Sequence, residues 1–93
     1  LTDARTRYSV SLVVHDRPGA LAAVAQVFAD GGVSLQSVRQ EGGLEDGVPD
    51  AALLVRTHLA REANLQEVVG RLAELDEVKE VAGVMRVEGG PEA

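Results

Sequence analysis

Two strand–helix–strand halves, a turn-rich break between them and a change of apolar period inside each half predict an α+β fold. The expected architecture is a ferredoxin-like βαββαβ sandwich: a four-stranded antiparallel sheet with two helices on one face. The halves span about residues 8–41 and 51–88, and 93 residues leave room for one domain and one core. Residues 1–6 read as a linker remnant of a longer chain, 7–89 as the domain and 90–93 as a disordered tail.

The first strand is "YSVSLVV", residues 8–14, with Val10, Leu12 and Val14 on one parity and Ser9, Ser11 and Val13 on the other. The period then changes across "ALAAVAQVFAD", residues 20–30. Leu21, Val24, Ala25 and Phe28 fall at i, i+3, i+4 and i+7, which is one face of a helix. Gly31 and Gly32 end it, because glycine takes the left-handed C-terminal conformation without a Cβ clash. "VSLQSVRQE", 33–41, is a second strand, with Val33, Leu35 and Ser37 opposite Ser34, Gln36 and Val38. "GGLEDGVPD", 42–50, is a hairpin loop, and "AALLVRTH", 51–58, a third strand. Over 61–76 a second helix places Leu65, Val68, Val69, Leu72 and Leu75 on one stripe. The last strand, 78–88, carries Val81, Met85 and Val87 toward one side. With both helices on one face, the other face and an edge strand stay open, an invitation to a second copy.

Composition excludes several classes. Aromatics are 2% of the chain, so the core must be built from Val, Leu and Ala. There is no cysteine, which removes disulfides, thiolate catalysis and Cys-ligated metals and fits a cytoplasmic location. No apolar run approaches the roughly 18–20 residues that span a bilayer. The net charge of −6 repels nucleic-acid phosphates and anionic membranes. RNA-binding sheets of this shape also need exposed aromatics on central strands, and Tyr8 alone does not supply them.

Catalytic signatures are equally scarce: there is no dinucleotide-binding glycine loop, P-loop or nucleophile elbow. His15 and His58 each end a strand and lack a fixed carboxylate partner, which makes a poor metal or acid–base site. An acylphosphatase-like activity would want Arg17 joined by an asparagine on a later strand. The one asparagine, Asn64, sits on the second helix.

The strand-to-helix turn "VHDRPGAL", residues 14–21, carries the best chemical signal. The first amides of a helix have no partner inside it, and with the helix dipole they suit a carboxylate or phosphate. Gly19 lets a ligand approach the backbone. Asp16 either caps the helix, with Pro18 in its first turn, or accepts from a ligand's ammonium group.

The run "V-x-D-R-P-G-x-L-A-x-V-A-x-V-F-A-x-x-G-V-S-L-x-S-V-R-Q-E" resembles an ACT domain, the small ligand-binding module of many amino-acid biosynthesis enzymes. "THLARE" and "VMRVEG" are similar to the C-terminal regulatory ACT domain of bacterial homoserine dehydrogenases, and the resemblance covers about residues 6–89. It implies a βαββαβ fold and a regulatory role. The implied effector is an amino acid, L-threonine in feedback control of threonine, methionine and isoleucine synthesis, bound where two copies pair as a homodimer. The positions carried over are Asp16, Arg17, Pro18, Gly19, Ala20 and Leu21, largely through backbone, with Val33, Ser34, Leu35 and Gln36 from the second strand. A threonine hydroxyl would meet Ser34 or Gln36. The sequence departs from many amino-acid-binding ACT domains at Ser34, where they carry Asn or Asp, so the alternative is an oligomerisation module with a degenerate pocket and no effector. The resemblance places NAD(P) and all catalytic residues in the catalytic domain of a parent chain. No catalytic residue, metal ligand or cofactor is expected here.

Overall fold

A computed structural model describes residues 5–15, 18–42 and 50–87. Its elements are β1 (Arg5–His15), α1 (Ala20–Asp30), β2 (Leu35–Gly42), β3 (Asp50–Thr57), β4 (Ala60–Arg61), α2 (Glu62–Ala73) and β5 (Val78–Val87). β1 pairs antiparallel with β3 and β5, and β2 pairs antiparallel with β3. The order β5-β1-β3-β2 is the ferredoxin-like arrangement the sequence predicts. The two-residue β4 is additional, and Arg5 and Thr6, read from the sequence as linker, form its partners.

Alternation along β1 sets the core. Tyr8, Val10, Leu12 and Val14 are buried beneath the helices, while Ser9, Ser11 and Val13 are half-buried on the other face. β3 answers with Ala51, Leu53, Val55 and Thr57. From α1 come Val24 and Phe28, and from α2 Leu65, Val68 and Leu72, all in one cluster. Leu21, expected on the inward stripe of α1, is instead 45% exposed, and Ala20 takes the buried position. The inward arc is rotated toward Val24, Val27 and Phe28.

α1 ends as its two glycines require. Gly32 adopts φ 77, the Gly32 N–H bonds the Ala29 carbonyl at 3.1 Å, and the Val33 N–H bonds the Phe28 carbonyl at 3.0 Å. That pair of bonds is the Schellman motif, and the buried contact of Val33 with the Phe28 end of the helix completes it. α2 stops at Ala73, short of the expected 76. Its last amides, Glu74 and Leu75, bond back three residues to Arg71 and Leu72, tightening the final turn.

Two parity readings need correction, both for the same reason. In β2 the register steps from Leu35↔Thr57 to Ser37↔Arg56, so Gln36 is an extra, bulged residue. A bulge reverses the alternation that follows it. Leu35 therefore shares the helix side with Val38 and Gln40, and Ser37 turns to the open face. In β5 two register shifts, near Lys79 and Ala82, put Val78, Val81, Val84 and Arg86 on the helix side. Met85 and Val87 fall on the open face, opposite to Val81, and Met85 is 67% exposed.

Candidate functional site

The described chain resumes at Pro18, two residues before α1, and Asp16 and Arg17 lie outside the described residues. The N-cap is Gly19, with φ 88 and ψ −8, a left-handed conformation costing an L-residue roughly 1–2 kcal/mol. The N-cap position thus belongs to Gly19, and Pro18 precedes the helix rather than standing in its first turn. The Gly19 carbonyl accepts the Ala23 N–H at 2.9 Å, so the amides of Ala20, Leu21 and Ala22 have no partner inside the helix. Gly19 has no side chain to cap them, and no acidic residue stands in the first turn to offset the dipole.

These amides open onto a groove between α1 and β2. Its upper part, about 440 Å³, is lined by Gly19, Ala20, Leu21, Ala22 and Ala25 of α1, with Val14, Leu53 and Gln40 behind. Its lower part, about 420 Å³, is lined by Ala25, Ala29, Gly32, Val33, Ser34 and Leu35. Ala22, Ala25 and Ala29 repeat at three and four residues along α1, and their small side chains leave the space between the helix and β2 unfilled. The structure thus brings the helix-start segment (Gly19, Ala20, Leu21) and the strand-start segment (Val33, Ser34, Leu35) onto one groove joined at Ala25.

Gln36 lines neither part, since the bulge carries it off the ladder. Gln40 lines the upper part, and the sequence reading missed it because the same bulge changed its side. Ser34 is exposed, and its carbonyl accepts the His58 N–H at 2.9 Å. That bond ties the start of β2 to the end of β3. The groove is mainly apolar, with Gln40 and Ser34 as its polar side chains.

At the ends of β1, β3 and β5, Asp50 joins three elements. Its carboxylate lies 2.8 Å from Lys79 Nζ and 3.4 Å from His15 Nδ1, so His15, unlike the sequence expectation, has a carboxylate partner supplied by its ladder neighbour. The hydrogen bond from Lys79 holds the Asp50 carboxyl below its ordinary value against the opposing effect of partial burial. Lys79 is raised in return, chiefly by the same bond. Among the described residues no three His, Asp or Glu side chains gather as a metal site. No described helix is long and apolar enough to cross a membrane.

The two sheet edges differ. β2 runs without a register break from Ser37 to Gly42, whereas β5 carries two. Bulges spoil an edge for further pairing, so β2 is the edge fit to add a strand. Leu21 and Val38, 45% and 36% exposed, stand beside it.

A family model described as ACT domain matches residues 8–77. A homoserine dehydrogenase of Mycobacterium tuberculosis is 49% identical over 86 residues, covering 90% of this chain and 20% of the relative. This chain therefore spans about a fifth of the length of the curated relatives it matches. The crystal structure of a homoserine dehydrogenase from Thiobacillus denitrificans superposes with TM-score 0.74 at 27% identity, over 91% of this chain and 17% of that one. The ACT domain from GTP pyrophosphokinase of Chlorobium tepidum shares the fold alone: TM-score 0.66 and 11% identity, over 89% of this chain and 99% of that one.

Proposed function

The chain belongs to the ACT domain family, and on that premise we propose that it is the regulatory domain of a homoserine dehydrogenase, holding an amino-acid effector in the α1–β2 groove. The observation that carries this reading is the start of α1, without a side-chain cap among the described residues, opening onto that groove with Gly19 left-handed at its mouth. Three amides without a partner inside the helix, at its positive end, suit a carboxylate. Ser34 and Gln40 supply hydroxyl and amide groups to a polar side chain such as that of L-threonine. The same groove lies along the β2 edge. A second copy paired there would close the open side, so effector and homodimer would stabilise each other.

In this reading the effector biases how two domains sit and so acts on a catalytic domain elsewhere in a longer protein. That part would hold the NAD(P) and the catalytic residues, and the whole would work in the cytoplasm. Feedback control of synthesis from aspartate follows as the biological role.

One observation favours a second reading. The upper groove offers mostly Ala, Leu and Val side chains, a lining that also suits an apolar side chain of a partner copy. An oligomerisation module without an effector would need nothing more. Calorimetric titration of the chain with L-threonine, then with other aspartate-family and branched-chain amino acids, separates the two. Saturable heat with threonine supports the sensor. A dimer that gives no heat and no thermal shift at millimolar ligand leaves the module.

A further inference from the structure

At the edge of the sheet opposite β2, a separate cleft of about 320 Å³ opens between α2 and β5. Its floor is apolar, made by Leu65 and Val69 of α2 and Val84 of β5. Val84 is 42% exposed although its ladder partner Val10 is fully buried, so apolar surface on the helix side of the sheet is left uncovered here. Tyr8, 6% exposed, adds a hydroxyl-bearing side chain to the lining.

The walls carry opposite charges. Residues paired across an antiparallel ladder share a face, and Arg86 pairs with the inward Tyr8. Arg86 therefore stands on the helix side of β5, a side otherwise filled by Val78, Val81 and Val84. No carboxylate among the described residues forms an ion pair with it. Glu62, first residue of α2, lines the same cleft and accepts a 3.3 Å hydrogen bond from Gln66, one turn on. Cation and anion thus share one hollow across an apolar floor without neutralising each other.

We propose that this cleft is a second small-molecule site, for an α-amino acid with a short apolar side chain. The ligand carboxylate meets the Arg86 guanidinium, its ammonium meets Glu62, and its side chain lies on Leu65, Val69 and Val84. A zwitterion matches two fixed charges of opposite sign, whereas a phosphate would be repelled by Glu62. The volume stands at the small end of ligand pockets, room for a single amino acid. This site is independent of the α1–β2 groove.

The test is a titration of the isotopically labelled chain with L-valine, followed through its backbone amide resonances. Saturable shifts are expected at Gln66, Val69, Val84 and Arg86. Arg86→Gln should weaken binding about tenfold, a typical loss for one charge-assisted contact, with unchanged thermal unfolding because Arg86 is exposed. Isovalerate, which lacks the ammonium, and isobutylamine, which lacks the carboxylate, should each bind more weakly than valine. Glu62→Gln should weaken valine while sparing isovalerate. Shifts confined to residues 19–25 and 33–35 would assign valine to the other groove and overturn the second site. So would an unaltered Arg86→Gln titration, or no saturable shift up to roughly 50 mM valine.

Discussion

Thr57 Oγ1 accepts the Tyr8 N–H at 3.1 Å and donates to the His58 carbonyl at 2.7 Å. The bond falls where β1 changes partners, between Ser9↔Arg56 on β3 and Thr6↔Ala60 on β4. The interruption leaves Tyr8, still paired with Arg86 of β5, without a ladder partner on the β3–β4 side, and a side chain replaces the lost backbone acceptor there. That is why a hydroxyl stands fully buried among Val, Leu and Phe. Thr57→Val keeps the shape and removes the acceptor, and should cost about 1–3 kcal/mol in urea unfolding. Thr57→Ser retains the hydroxyl and should lose about 1 kcal/mol, the methyl's share.

Gly31 marks where the helices touch. A Cβ there would collide with Val68 Cγ2 of α2. Its backbone is ordinary, so the demand for glycine is steric rather than conformational. Gly31→Ala should destabilise by about 1–3 kcal/mol, the usual range for an overpacked contact. Adding Val68→Ala should recover part of that loss, a non-additivity measurable by a double-mutant cycle in denaturant.

The Asp50–Lys79 pair makes stability depend on pH at both ends. Asp50 is held low, so its contribution is present above the ordinary carboxylate value of about 3.9 and fades as pH falls through its lowered pKa. Lys79 is held high, so its contribution is full below the ordinary lysine value of about 10.4 and fades as pH rises through its raised pKa. Asp50→Asn should therefore be less stable than the parent at neutral pH, and the two should converge in strong acid. Unfolding curves measured across the pH range check this. A gap that persists in strong acid would show that the pair is not its cause.

The dimer reading predicts where association is sensitive. Val38 and Leu21 are exposed apolar residues beside the unbulged β2 edge. Val38→Glu and Leu21→Glu should turn a dimer into a monomer in sedimentation while changing monomer stability by no more than about 0.5 kcal/mol. A monomeric parent protein, or variants that stay dimeric, would contradict pairing along this edge.

The order of elements was readable because each half changes apolar period cleanly, and α1 was legible to the residue because Gly31–Gly32 stop it. β4 was not, since two residues carry no periodicity of their own. The side assignments in β2 and β5 failed at bulges near Gln36, Lys79 and Ala82, where nothing in the residue types announces the extra residue. Much of the candidate site was legible as two segments, Gly19–Leu21 and Val33–Leu35. Their joining through Ala25 and the inward turn of Gln40 depend on packing and register, which no local pattern encodes.

The amide resonances of the labelled chain titrated with L-threonine test the effector reading most directly. Saturable shifts at Gly19, Ala20, Leu21, Ala25, Ser34 and Gln40 are predicted, weakened when Gly19→Ala disturbs the left-handed turn at the mouth of the groove. A titration that leaves all six resonances unmoved at millimolar threonine, in a sample shown to be dimeric, would contradict it.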